Sequence, residues 1–417
     1  MGIKKRLILL NFLQFFVWGS WLLTIGAYWF QTKHWSGTSF GAIYSTIGLA
    51  SLYMPAIAGI IADRWINAER LYGFFHLAGA VILFFIPLIN DPHVMFWVIF
   101  LYMIFYMPTI ALAITISYST LKSRGLDIIT EYPPIRVWGT IGFIAALWVV
   151  SMTKIETSAV QFYVASAGSL LLGLYSFTLP ACPFFGKGVK KSFAEALGLN
   201  AFALFKNRRL AIFFIFTMLL GLALQLSNAY GDTFLHDFKA IPAFKDLVAV
   251  KYPAIIMSIS QISETLFILT IPFFLRRFGI KKIILISMSA WVLRFGLFAF
   301  GNPDNFLWMI ILSCIIYGMA FDFFNISGSL FIETQSDPGI RASAQGLFMM
   351  MSNGIGAFLG TCLSGIMIDK YFTIRPDHFN WHGIWLTFAA YALIVAILFA
   401  VFFRYKHDPK KTEIRNY

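Results

Sequence analysis

Three charged side chains stand inside long, otherwise uncharged apolar runs and have polar company at helical spacing: Arg136, Glu264 and Asp322. A charge in an apolar medium costs at least about 2.5–3.5 kcal/mol, so such residues persist where they meet water, a partner charge or a ligand. Arg136 lies in Tyr132-Pro-Pro-Ile-Arg136-Val-Trp-Gly-Thr140-Ile-Gly-Phe143. The i, i+4, i+7 spacing puts Arg136, Thr140 and Phe143 on one helical face, a cation, a hydroxyl and a ring on a single stripe. Glu264 follows Gln261 by three positions in Ser258-Ile-Ser-Gln261-Ile-Ser-Glu264-Thr265, with apolar flanks on both sides. Asp322 and Asn325 sit beside an aromatic stripe of Tyr317, Phe321 and Phe324. Gln225 and Asn228, again three apart, add two carboxamides. Amides donate and accept, which suits an uncharged polar ligand.

Together these groups select a ligand class. Carboxamides, hydroxyls and carboxyls hydrogen-bond polyols and amides, and aromatic faces stack planar rings. One cation and two acids are not the Arg/Lys cluster that an organic phosphate requires. A neutral molecule with a hydroxylated part and a flat part fits best. Such a ligand leaves a carboxyl in an apolar run free to bind and release H⁺, so Glu264 or Asp322 is expected to exchange a proton as the ligand binds. No cofactor is expected.

The elements that must position these residues follow from composition. Of 417 residues, 59% are hydrophobic, 18% aromatic and only 12% charged, against about 25% charged in soluble globular chains. One soluble core cannot hide that much apolar surface. An integral membrane protein in the lipid bilayer is what remains. The runs do not alternate apolar and polar, which excludes a β-barrel. Uncharged stretches mark twelve spans, near 7–32, 40–62, 71–90, 94–121, 130–153, 157–180, 210–231, 253–275, 283–303, 305–332, 342–368 and 383–403. Twelve helices with loops need roughly 35 residues each, which suits this length.

An even number of spans puts both termini on one side. With the termini cytoplasmic, the gaps on that side hold most of the Lys and Arg, including Arg64, Lys122, Arg209, Arg276 and Lys282. The excess over the other side is roughly threefold, as the positive-inside rule requires. The net charge of +13 is thereby explained without nucleic acid, which is not expected as a partner. Arg294, alone in its run, is expected to snorkel to the headgroups or make a structural ion pair. His76 reads as a satisfied core histidine. Cys182, Cys314 and Cys362 read as small apolar residues, with neither metal nor disulfide spacing. No HExxH, GxSxG or CxxC motif and no paired membrane histidines appear, so no enzyme is expected.

The longest polar gap, 181–209, divides the chain into six-helix bundles at 1–180 and 210–404, followed by a tail at 405–417. Basic gaps recur at equivalent places, after Gly59-Ile-Ile-Ala-Asp63-Arg64 and within Phe274-Leu-Arg276-Arg277-Phe-Gly279-Ile-Lys281-Lys282. The expectation is an all-α polytopic protein of twelve transmembrane helices in two pseudo-repeated bundles, the architecture of a secondary transporter of the major facilitator type.

The strings Phe12-Leu-Gln14-Phe-Phe-Val-Trp18-Gly-Ser-Trp21, Tyr132 to Thr140, Ile256 to Phe267, Phe321-Asp322-Phe-Phe-Asn325-Ile-Ser-Gly and Ile340-Arg341-Ala-Ser-Ala-Gln345-Gly346 resemble the nucleoside:H⁺ symporters of the major facilitator superfamily. The resemblance runs from the first helix to the twelfth. It implies proton-driven nucleoside uptake across a bacterial inner membrane, with the proton gradient as energy source. No obligatory protein partner is expected. It also implies that Arg136, Thr140, Phe143, Gln225, Asn228, Gln261, Glu264, Tyr317 and Phe321 line the nucleoside site. Asp322 matches a functional acidic position near it.

Overall fold

The computed structural model describes residues 2–182, 199–336, 340–375 and 378–405. Most of the expected 181–209 linker and of the 405–417 tail lies outside the described residues. Twelve helical spans are present among the described residues. The first is broken, running through Ile3–Gly19, Ile25–Ala27 and the π-helical Tyr28–Thr32. Gly37–Arg64, Ala68–Phe85, Pro92–Ser123, Ile128–Met152 and Val160–Ser176 complete the first half. The seventh span is Arg208–Leu224 continued by Leu226–Asp237. One stretch, Pro253–Phe300, is two spans that meet at Gly279 (φ 75°), a backbone conformation that only glycine adopts without penalty. Leu307–Gln335 is the tenth span. Arg341–Met349, π-helical Met350–Gly356 and Ala357–Met367 form the eleventh, and Trp381–Phe402 is the twelfth. A short hairpin, Thr373–Arg375 against His378–Phe379, fills the last connection.

Local sequence sets the helix starts. The Asp91 carboxylate accepts from the amides of His93 (2.7 Å) and Val94 (3.0 Å), with Pro92 in the first turn. Ser36, Asn207 and Asn380 cap three other spans in the same way; each side chain satisfies amides that a helix start leaves open. Large apolar side chains such as Leu269, Phe273 and Ile397 face outward, which suits hydrocarbon and not water.

The pairing of spans repeats between halves. The first packs on the fifth, the second on the fourth and the third on the sixth. In the second half the seventh packs on the eleventh, and Ser263 bonds the Ile315 carbonyl between the eighth and tenth. His382 bonds the Ala299 carbonyl (2.8 Å) between the ninth and twelfth.

Contacts between the halves gather at the end away from the termini. The second and eleventh spans meet backbone to backbone. A Cβ on Gly41 would run into the Thr361 carbonyl and lie 3.1 Å from Gly365 Cα, and one on Gly48 would lie 2.6 Å from the Gly354 carbonyl oxygen. The Asp369 carboxylate accepts from the amides of Gly37 (2.7 Å) and Thr38 (2.6 Å), so one half caps a helix of the other. Trp148 Nε1 donates to Ser258 Oγ (3.0 Å) across the fifth and eighth spans. These crossings close one end of the molecule.

Candidate functional site

The seventh span breaks at Gln225, between two helical segments. Asn228 Nδ2 donates to Gln225 Oε1 (3.4 Å), and the Tyr317 hydroxyl lies beside Asn228. The Tyr317 ring lies parallel to Phe321, 5.5 Å between centroids and 14° between planes, so the tenth span presents two stacked aromatic faces.

Glu264, on the eighth span, is the electrostatic centre. It lies within the field of Arg136 from the first half and of Tyr317 and Asp322 from the tenth span. At 1.5 Å per residue, Gln225, Glu264 and Asp322 lie roughly 20–25 Å from the termini-side ends of their spans, and Arg136 about 12 Å. The three are near mid-depth, and Arg136 is nearer the side of the termini. The Arg136 guanidinium sits 4.1 Å above the Phe15 ring, a cation–π contact that orients it without a carboxylate. It is not paired with Asp322 in this structure. Thr140 follows one turn along the same helix. Phe143, a turn further, packs against Leu23, Leu147 and Ala254 at the junction of the halves.

Two oxygens here are buried and without a hydrogen-bond partner among the described residues, Gln261 Oε1 and Asp322 Oδ2. Buried polar atoms are normally satisfied. Orphans of this kind, next to a hydroxyl, carboxamides and a cation, make a surface ready for hydrogen-bonding ligand atoms or a proton.

Arg294 departs from expectation. It is 0% exposed, so it does not snorkel. No carboxylate pairs with it among the described residues. Its guanidinium lies 4.6 Å from the Tyr317 ring and 5.0 Å from Phe298, and Nη1 donates to the Ser313 carbonyl (2.6 Å). Aromatic faces and a carbonyl take the place of a counter-ion, and Arg294 thereby supports the underside of Tyr317. Arg294→Lys is expected to cost about 1–2 kcal/mol of stability, because an ammonium cannot stack as a planar guanidinium does. Denaturant unfolding in detergent measures it.

His76 meets its expectation, buried between Gln14 Oε1 (2.9 Å) and Ser169 Oγ (3.0 Å). The three cysteines are free; Cys182 and Cys314 are buried and Cys362 is half-buried. One polar cluster was not anticipated: Glu156, Asp232 and His236. The apolar run of the seventh span ends near 231, but its helix continues to Ala240, and the interface of the halves covers the added turns.

The profile of the family described as Nucleoside H⁺ symporter matches residues 1–408. The chain belongs to the nucleoside H⁺ symporter family. It is 52% identical to the xanthosine permease of Escherichia coli (strain K12) over 417 residues, 100% of this chain and 99% of that one. It is 51% identical to the nucleoside permease NupG of the same organism over 408 residues, covering 98% and 97% of the two chains. A crystal structure of NupG superposes with a TM-score of 0.92 at 51% identity, covering 97% of this chain and 100% of that one. A POT family transporter in complex with 5-aminolevulinic acid, only 13% identical, superposes with a TM-score of 0.72 over 98% of this chain and 96% of that one. The major facilitator fold is shared that widely. This nucleoside H⁺ symporter family member is thus a multi-pass membrane transporter and not an enzyme.

Proposed function

We propose that the protein imports nucleosides across a bacterial inner membrane, driven by inward proton flow, with both termini cytoplasmic. The observation that supports this reading is that Glu264 of one half and Arg136 of the other lie within each other's field, with Tyr317 and Asp322 beside Glu264 and two orphaned oxygens, Gln261 Oε1 and Asp322 Oδ2, on the same spans. Gln261 and Glu264 take ribose hydroxyls. Gln225 and Asn228 take polar atoms of the ligand. Phe143, Tyr317 and Phe321 offer faces to the base, and Thr140 adds a hydroxyl beside Arg136. The relatives' names, a xanthosine and a nucleoside permease, support nucleosides as the cargo.

The bodies 1–180 and 210–404, joined by the 181–209 linker, rock about this site and expose it to each side in turn. With both termini cytoplasmic, the end where the halves meet is the outer one, so this state is closed to the outside. Asp322 and Glu264 carry the coupled proton between them. Arg136 engages Asp322 once Asp322 loses its proton, in another state of the cycle. Sharing charge in this way ties movement of the cation to the protonation of the acids.

The test is radiolabelled uridine uptake into proteoliposomes. An outside-acid gradient of about one pH unit is expected to support about tenfold accumulation for each proton carried. A protonophore should remove the accumulation while leaving exchange of internal for external uridine. Accumulation that ignores the gradient would sink the proton reading, and failure of adenosine to compete would sink the nucleoside one.

A further inference from the structure

Glu156 comes from the connection between the fifth and sixth spans, and Asp232 and His236 from the last turns of the seventh. Their exposures are 3%, 1% and 1%. His236 Nε2 lies 2.7 Å from Glu156 Oε2 and 3.6 Å from Asp232 Oδ2, so one ring nitrogen faces two carboxyl groups. The other Glu156 oxygen accepts from the Ala254 amide (3.2 Å), at the start of the eighth span. Neither Asp232 oxygen has a hydrogen-bond partner among the described residues. Glu156 thus bridges the two halves where the outer side is shut.

We propose that Glu156, Asp232 and His236 form a second proton-binding site, at the outer gate, which takes up protons as the gate closes. The inference rests on the proton-driven import reading. The argument is one of charge. With the gate open, the three groups meet water, and near neutral pH both carboxylates are ionised beside a largely neutral imidazole. With it closed, two bare carboxylates around a neutral ring would leave two negative charges in a dry interface, which desolvation forbids. A proton on His236 makes the 2.7 Å contact a true ion pair, and a second on Asp232 neutralises the oxygens that have no donor. Burial pushes the Glu156 carboxyl up, but the hydrogen bond and charge of His236 outweigh it, and its pKa ends below the ordinary value. With the His236 ring nitrogen at one oxygen and the Ala254 amide at the other, Glu156 is the carboxyl equipped to stay ionised, and Asp232, with no donor, is not.

The other charged groups facing the cluster do not replace those protons. A cavity of about 200 Å³ leads to it past Lys154, Lys239 and Lys251. Lys154 is exposed and Lys251 pairs with Asp246 (3.2 Å); Lys239 faces Glu156 and Asp232 but comes within ion-pair distance of neither, so it neutralises neither. Tyr44, from the second span, also faces Asp232. A divalent metal suits the cluster poorly. Ligands about 2.0 Å from a tetrahedral ion sit about 3.3 Å apart, and the lysines repel a cation.

The sign follows: a state that binds more protons gains as pH falls. The test uses spin labels on cysteines introduced at the exposed Thr153 and Ala243, one on each half, with Cys182, Cys314 and Cys362 replaced by Ala. Distances are read in nanodiscs from about pH 5.5 to about pH 8.5. The closed population should grow towards acid in the otherwise unmodified protein. His236→Gln and Asp232→Asn should each flatten that slope, and the two combined with Glu156→Gln should abolish it. Slopes that match the parent in both single variants would overturn the proposal, as would a parent distance that ignores pH. If one single variant fails to fold, the other carries the same prediction. Uridine uptake is measured in parallel. A pH-dependent gate without uptake would count against the nucleoside reading alone, and intact uptake with a flat profile against this one alone.

Discussion

Glu264→Gln is expected to abolish proton-driven nucleoside accumulation in a protein that still folds and inserts. Glutamine keeps the size and can still hydrogen-bond a ribose hydroxyl. It cannot ionise, so the field linking Glu264 to Arg136 and Asp322 disappears. Hydrogen bonds to charged groups are worth about 1.5–3 kcal/mol, so nucleoside affinity should weaken roughly ten- to hundredfold and accumulation should vanish into the background. Proteoliposome uptake reads the second effect and calorimetric titration with uridine the first. Accumulation at the parental level would remove Glu264 from the mechanism.

The second large effect is steric. Gly41→Leu places a branched side chain against the Thr361 carbonyl and Gly365, where even a Cβ has no room. Overpacking costs about 1–3 kcal/mol or more. Only the state closed on that side feels it, which tilts the conformational balance by about 5- to 150-fold towards outward-open. Uptake should fall by at least about tenfold while the protein still binds nucleoside from outside. Reaction of a membrane-impermeant maleimide with a cysteine introduced at Thr38 should rise. Parental uptake would show that this seam does not limit the cycle.

The spans were legible because an apolar run about 20 residues long has few alternatives in a chain this poor in charge. Their breaks were not. Nothing in Leu224-Gln225-Leu226 separates a broken helix from a straight one, since tertiary packing decides it. Arg136, Glu264 and Asp322 stood out because a charge inside an apolar run is expensive, and the structure brings both Arg136 and Asp322 within the field of Glu264. Arg294 was misjudged because its partners, Tyr317, Phe298 and the Ser313 carbonyl, are uncharged and two of them lie on another span. Asp232 and His236 escaped because the hydropathy signal fades after Gly231. What buries them is Glu156 and the start of the eighth span, which no local pattern announces.

The glycine seam between the second and eleventh spans has one more implication. Backbone laid on backbone offers nothing that titrates or attracts ions, so its grip is the same at any acidity or ionic strength. Sensitivity to acidity or ions at this end is left to its ionisable side chains, the Asp369 carboxylate that caps the second span and the Glu156 cluster. Mechanical strength and chemical sensing are lodged in different residues, and each is adjustable without disturbing the other.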